Sequence, residues 1–124
     1  MTDNVTRYES DRVSSPSIYG GNTRNQQLVF FDGQVPDETG PNRGVREQTL
    51  AALERVDELA AEADVGVRDL MRTTVYLTDA ERSESVKRAY DEFFDDYRPA
   101  RTIVGVESLP SDAAVQIEAT GVDR

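Results

Sequence analysis

The stretch Leu70 to Pro99, LMRTTVYLTDAERSESVKRAYDEFFDDYRP, changes its periodicity midway, and that change decides the fold. Leu70 to Thr78 alternate loosely and are dense in Thr, Val, Tyr and Leu, residue types suited to a pleated strand. Beyond Thr78, the apolar residues Val86, Ala89, Tyr90, Phe93, Phe94 and Tyr97 recur at three- and four-residue steps, which places them on one helical stripe. Thr78 and Glu81 have capping-box spacing for the start of that helix, and Pro99 is its expected end. The aromatic stripe reads as a core face rather than a ligand groove, because such stripes are how amphipathic helices pack.

Working outward, a second helix is expected from about Asn42 to Asp64, capped by Asn42 and stopped by Gly66. Its inward stripe is Val45, Thr49, Ala52, Val56, Leu59 and Ala63. Before it, Gln27 to Phe31 reads as a strand running into the turn Asp32-Gly33-Gln34-Val35-Pro36, followed by a turn-forming loop from Pro36 to Gly40. Val5 to Tyr8 and Ser17 to Gly21 are candidate short strands. After the Leu70–Pro99 stretch, Arg101 to Glu107 and Ala114 to Val122 read as two strands joined, hairpin-like, through Leu109-Pro110-Ser111-Asp112. The order of strands, helix, strand, helix and two strands predicts an α+β fold: a mixed β-sheet with two helices packed on one face. A chain of 124 residues with 37% hydrophobic content supports one core, so residues 1–124 are read as a single domain whose first sixteen residues are partly flexible.

Composition narrows the chemistry. The formal net charge is −10 and Lys87 is the only lysine, so the surface repels phosphates and a nucleic-acid partner is not expected. The same imbalance resembles the surfaces of proteins from salt-rich cytoplasm, where self-repulsion is screened, and equally those of ordinary acidic proteins. No apolar run is long enough to cross a bilayer and the N-terminal stretch is polar, which predicts a cytoplasmic protein without a membrane partner. With no histidine and no cysteine, Ser-His-Asp triads, thiolate nucleophiles and zinc sites built on those residues are excluded. No metal or cofactor is expected, leaving arginine, carboxylates, amides, hydroxyls, backbone N–H groups and water.

Period-two alternation sorts the last two strands into faces. Thr102, Val104 and Val106, with Val115, Ile117 and Ala119, are expected to meet the helices. The opposite side would carry Arg101, Ile103 and Gly105 beside Gln116, Glu118 and Thr120. Such a face is either a solvated surface with an ordinary Arg–Glu cross-strand pair, or one covered by other subunits, where Arg101 is partly desolvated and available to a carboxylate ligand.

Four segments together resemble the RidA (YjgF) family of reactive-intermediate deaminases: Gly33-Gln34-Val35-Pro36; Val75-Tyr76-Leu77-Thr78-Asp79; Pro99-Ala100-Arg101 followed by Val104, Val106, Leu109 and Pro110; and Val115-Gln116-Ile117-Glu118-Ala119. The resemblance implies a chorismate-mutase-like subunit, a trimeric barrel assembly with ligand sites between subunits, and hydrolysis of 2-imino or enamino acids to 2-keto acids and ammonia. It implies that Arg101 holds the substrate carboxylate, that the backbone at Gly33 approaches the ligand, and that Tyr19 lines the site. The chain departs from the family pattern at three positions. Ile103 stands where a cysteine is common, leaving its backbone N–H to serve the ligand; Lys87 replaces an asparagine; and Gln116 replaces the glutamate that would hold the attacking water, with Glu118 at the next acidic position. A glutamine orients water through its carbonyl oxygen but accepts no proton. The alternative is therefore a non-catalytic trimer that binds metabolites or partner proteins at the same clefts. A ribonuclease or translation-inhibitor role, also attached to the family, fits poorly with the acidic charge and the absence of histidine.

Overall fold

The computed structural model describes residues 5–9, 17–23, 26–36 and 43–123, with side chains from Leu28 onward. The elements are β1 (Val5–Glu9), β2 (Ser17–Thr23), β3 (Gln26–Gln34), α1 (Val45–Glu62), β4 (Leu70–Leu77), α2 (Ser83–Phe93), β5 (Ala100–Gly105) and β6 (Val115–Asp123). The six strands form one sheet in the order β1-β2-β3-β6-β4-β5. Every neighbouring pair is antiparallel except β4 and β5, which are parallel because α2 carries the chain back between them. Both helices contribute to one core with the sheet, as expected for the α+β class. Of the expectation for residues 1–16, residues 5–9 form β1, and 1–4 and 10–16 lie outside the described residues.

The inward stripe of α1 is as its spacing predicts: Thr49, Ala52, Val56 and Leu59 are buried, while Val45 and Ala63 are partly buried against the core. The helix ends are set differently. The expected cap Asn42 lies outside the described residues, and Gly44 occupies the N-cap position. At the other end Asp64, not Gly66, takes the left-handed conformation (φ 58°), and the Val65 N–H returns to the Ala60 carbonyl at 2.9 Å. Buried Gln48 bolts the start of α1 to the start of β6, its amide donating to the Arg43 carbonyl (2.7 Å) and accepting from the Ala114 N–H (2.8 Å). Shortening Leu59, which is fully buried, to alanine is expected to cost about 2–5 kcal/mol, read as a lower urea midpoint at unchanged m-value.

Before α2 the expected Thr78–Glu81 box is replaced by Asp79, whose carboxylate accepts from the Glu81 N–H at 3.1 Å and opens a short 3-10 turn over residues 80–82. The regular helix stops at Phe93, well before Pro99, because Phe94 turns extended. Tyr97 therefore leaves the helical stripe, and its hydroxyl donates to the Leu70 carbonyl.

Two expectations about the last strands are corrected. β5 and β6 are not a hairpin: β4 lies between them. The chain from Val106 to Ala114 is long enough to pass β4, and Ser111 and Asp112 in left-handed conformation (φ 58° and 54°) redirect it. The faces of β5 are also reversed. Its ladder sets Arg101 beside Thr73 and Ile103 beside Val75, and Thr73 and Val75 are wholly buried under the helices. Arg101 and Ile103 thus face the helix side, while Thr102 and Val104 share the other face with Thr74, Tyr76, Gln116 and Glu118. The register with β4 decides the sign of the alternation. The face assignment for Val115, Ile117 and Ala119 holds, all three being buried.

Candidate functional site

Arg101 and Ile103 sit on β5, an edge of the sheet, on the side of α2. The Arg101 side chain is half-buried, with its Cζ 4.8 Å from the centroid of the Tyr90 ring. Among the described residues no carboxylate pairs with it, so the cross-strand pair with Glu118 does not form; β4 separates the two strands. Tyr90 is buried, and its hydroxyl lies 2.6 Å from Thr73 Oγ1. Burial pushes the Tyr90 phenol up to about 12, against the downward pull of the Thr73 hydrogen bond and the Arg101 charge. It stays neutral at physiological pH. Ile103 packs against the core with its side chain. Lys87, on α2, is exposed and pairs with Glu84 at 3.4 Å, the bridging of a solvated lysine.

The other candidates lie on the open face. Gln116 rests directly on Gly33: a Cβ at position 33 would come within 2.2 Å of the Gln116 Nε2. The expected turn at Asp32–Gln34 is instead the irregular end of β3, and only a glycine lets the amide lie so close to its backbone without displacement. Glu118, two residues along the same face, accepts a hydrogen bond from the Tyr76 hydroxyl at 2.5 Å, which pushes the Tyr76 phenol up. The expected structural ion pair for Glu118 is therefore replaced by a phenol. A groove of about 260 Å³ continues from Glu118 past Thr74 to Phe30 and Arg72. Tyr19 lies on β2 opposite Phe30 in the ladder; its side chain is outside the described residues.

The candidates thus fall into two groups separated by the thickness of the sheet: Arg101 with Ile103 on the helix side of the edge, and Gly33, Gln116 and Glu118 on the open face. Sequence reasoning missed Tyr76 and the Thr73–Tyr90 pair. Tyr76 was findable, since it alternates with Val75 and Leu77, whereas nothing in the stripe containing Tyr90 pointed to a hydroxyl partner on β4. Among the described residues no cluster of Asp and Glu is arranged to hold a metal ion, and no helix is long and apolar enough to cross a membrane.

A six-stranded mixed sheet with two helices on one face, an edge arginine with no ion pair among the described residues and a glutamine seated on a strand glycine define an α+β domain of the YjgF type. A family model described as endoribonuclease L-PSP matches residues 10–122. TdcF of Escherichia coli, named as a candidate reactive intermediate deaminase, is 34% identical over 101 residues, covering 77% of this chain and 78% of its own. The 2-iminobutanoate/2-iminopropanoate deaminase of Escherichia coli is 28% identical over 132 aligned positions spanning all of both chains. The crystal structure of Escherichia coli TdcF with bound serine superposes with a TM-score of 0.73 at 32% identity, covering 85% of this chain and 86% of that one. The chain belongs to the RidA (YjgF) family.

Proposed function

We propose that this protein hydrolyses reactive 2-imino or enamino acids to 2-keto acids and ammonia, in the cytoplasm and without a cofactor. The observation that carries this reading is Arg101: a half-buried guanidinium at a sheet edge with no carboxylate partner among the described residues. Such a group is suited to bidentate binding of a substrate carboxylate, the strongest and most directional contact available to a small acid. Relatives named as imine deaminases support the chemistry, and the serine bound to TdcF bears a carboxylate beside a nitrogen-bearing carbon, as the proposed substrates do.

The division of the candidates between two faces supports a site completed between copies of the chain. In this arrangement Arg101 and the Ile103 backbone come from one protomer, and Gly33, Gln116, Glu118 and Tyr19 from the next. The open face has reason to be covered, since Phe30 is 45% exposed and Val104 37%. A closed homotrimer with the open faces turned inward as a barrel satisfies both requirements. Arg101 grips the carboxylate, and the backbone at Gly33 and Ile103 orients the C=N group. A water that donates a hydrogen bond to the Gln116 carbonyl oxygen adds to the C=N carbon, its proton passing to the imine nitrogen. The resulting carbinolamine expels ammonia and leaves the keto acid. A protonated imine is already electrophilic, so proximity and charge placement supply most of the acceleration.

The second reading, a non-catalytic trimer binding metabolites or partner proteins at the same cleft, is favoured by one feature: the side chain resting on Gly33 is an amide that takes no proton. Trapping separates the two. An imine generated in situ and captured as its semicarbazone should be captured less when the protein is present at stoichiometric amounts. Equal capture with and without protein, together with calorimetric binding of 2-ketobutyrate, supports the binding trimer and removes the deaminase.

A further inference from the structure

We infer that Tyr90, held in place by Thr73, is a positioning residue for Arg101, acting as an aromatic platform that aims the guanidinium at the substrate carboxylate. The inference rests on the carboxylate-clamp reading of Arg101 given above. An arginine at a sheet edge has long, rotatable arms, and leaving it unpaired would ordinarily let the head wander. Here the head lies over the Tyr90 ring at 4.8 Å. A guanidinium held over an aromatic ring by cation–π attraction loses part of its rotational freedom while its N–H donors remain available to a carboxylate. The ring itself is fixed. It is fully buried and backed by Phe94 at 5.4 Å between centroids.

The hydroxyl end is tied to the same strand pair. Thr73 Oγ1 lies 2.6 Å from the Tyr90 hydroxyl and donates to the Ala100 carbonyl at 3.4 Å. The two hydroxyls share one short hydrogen bond. Ala100 immediately precedes Arg101, and Thr73 is the ladder partner of Arg101 across β4 and β5. One buried pair therefore fixes both the backbone from which Arg101 springs and the surface on which its head lies. The phenol is engaged with Thr73 and its acidity is suppressed by burial, which leaves the ring as the working part.

Calorimetry with 2-ketobutyrate and its uncharged analogue 2-ketobutyramide tests this, alongside imine turnover. Tyr90→Leu should weaken 2-ketobutyrate binding about 10-fold while leaving 2-ketobutyramide unchanged, so the preference for charge falls. In turnover KM should rise with kcat held. Tyr90→Phe keeps the ring and should restore binding to within about 3-fold of the native protein. Thr73→Val preserves volume and removes the hydroxyl; it should give a smaller loss confined to the carboxylate ligand, and it carries the test if Tyr90→Leu does not fold. Native-like 2-ketobutyrate affinity in folded Tyr90→Leu or, failing that variant, in Thr73→Val overturns the platform, as does an equal loss for both ligands. Arg101→Ala is the separate control: if it binds 2-ketobutyrate as the native protein does, the clamp itself is misassigned.

Discussion

Replacing Arg101 by alanine is expected to lower kcat/KM for imine hydrolysis by about 100- to 10,000-fold, with the fold intact. The range follows from two charge-assisted hydrogen bonds to one carboxylate, worth about 1.5–3 kcal/mol each, and from tenfold in rate per about 1.4 kcal/mol. Stability should change much less, because Arg101 has no ion pair among the described residues and loses only its contact with the Tyr90 ring. That contact is worth about 1 kcal/mol, a shift of about 4 °C in Tm for a domain of this size. Steady-state rates and a thermal melt on the same preparation check both parts. A rate unchanged by the substitution would mean that substrate acids are held elsewhere, and a collapse of the melt would give Arg101 a structural role instead.

The opposite sign is expected for Gln116→Glu, which should raise kcat by about 100-fold, the ordinary yield of a positioned general base. The present amide orients water through its carbonyl oxygen but takes no proton from it. A carboxylate has nearly the same shape, so it should occupy the same seat on Gly33, where there is no room for a bulkier residue. It would stand two residues from Glu118 on one strand face, and a like charge there raises its pKa toward neutrality, where a base is most effective. A pH–rate profile of the variant should gain a rising acid limb that the native protein lacks. If the native protein leaves semicarbazone capture unchanged and the variant lowers it, the non-catalytic reading describes the natural molecule. An unchanged rate in an otherwise active protein would show that water needs no base at this position.

Much of the architecture was legible in the chain itself. The shift from loose alternation at Leu70–Thr78 to a helical stripe through Val86, Ala89, Tyr90 and Phe94 located β4 and α2, and the stripe from Thr49 to Leu59 located α1. Apolar periodicity is a local property, set by how a single element turns, and it survives in one dimension. Arg101, Gly33 and Gln116 could also be singled out by residue type and order. Their mutual arrangement could not. Alternation along β5 separates Arg101 and Ile103 from Thr102 and Val104, but the strand alone does not say which side is inward. The two valines at 104 and 106 suggested the wrong answer.

What the amino-acid order determined by itself was the set of elements, the buried stripes and the chemical inventory, an arginine, amides and carboxylates without histidine or cysteine. Only the tertiary structure decided that β4 slides between β5 and β6, that Arg101 lies over Tyr90 rather than beside Glu118, and that Gly33 and Gln116 touch. The physical reason is that strand pairing and face are fixed by the ladder a strand joins. For β5 that ladder is a parallel register with Thr73 and Val75, nearly thirty residues away in the chain, imposed by the crossover through α2.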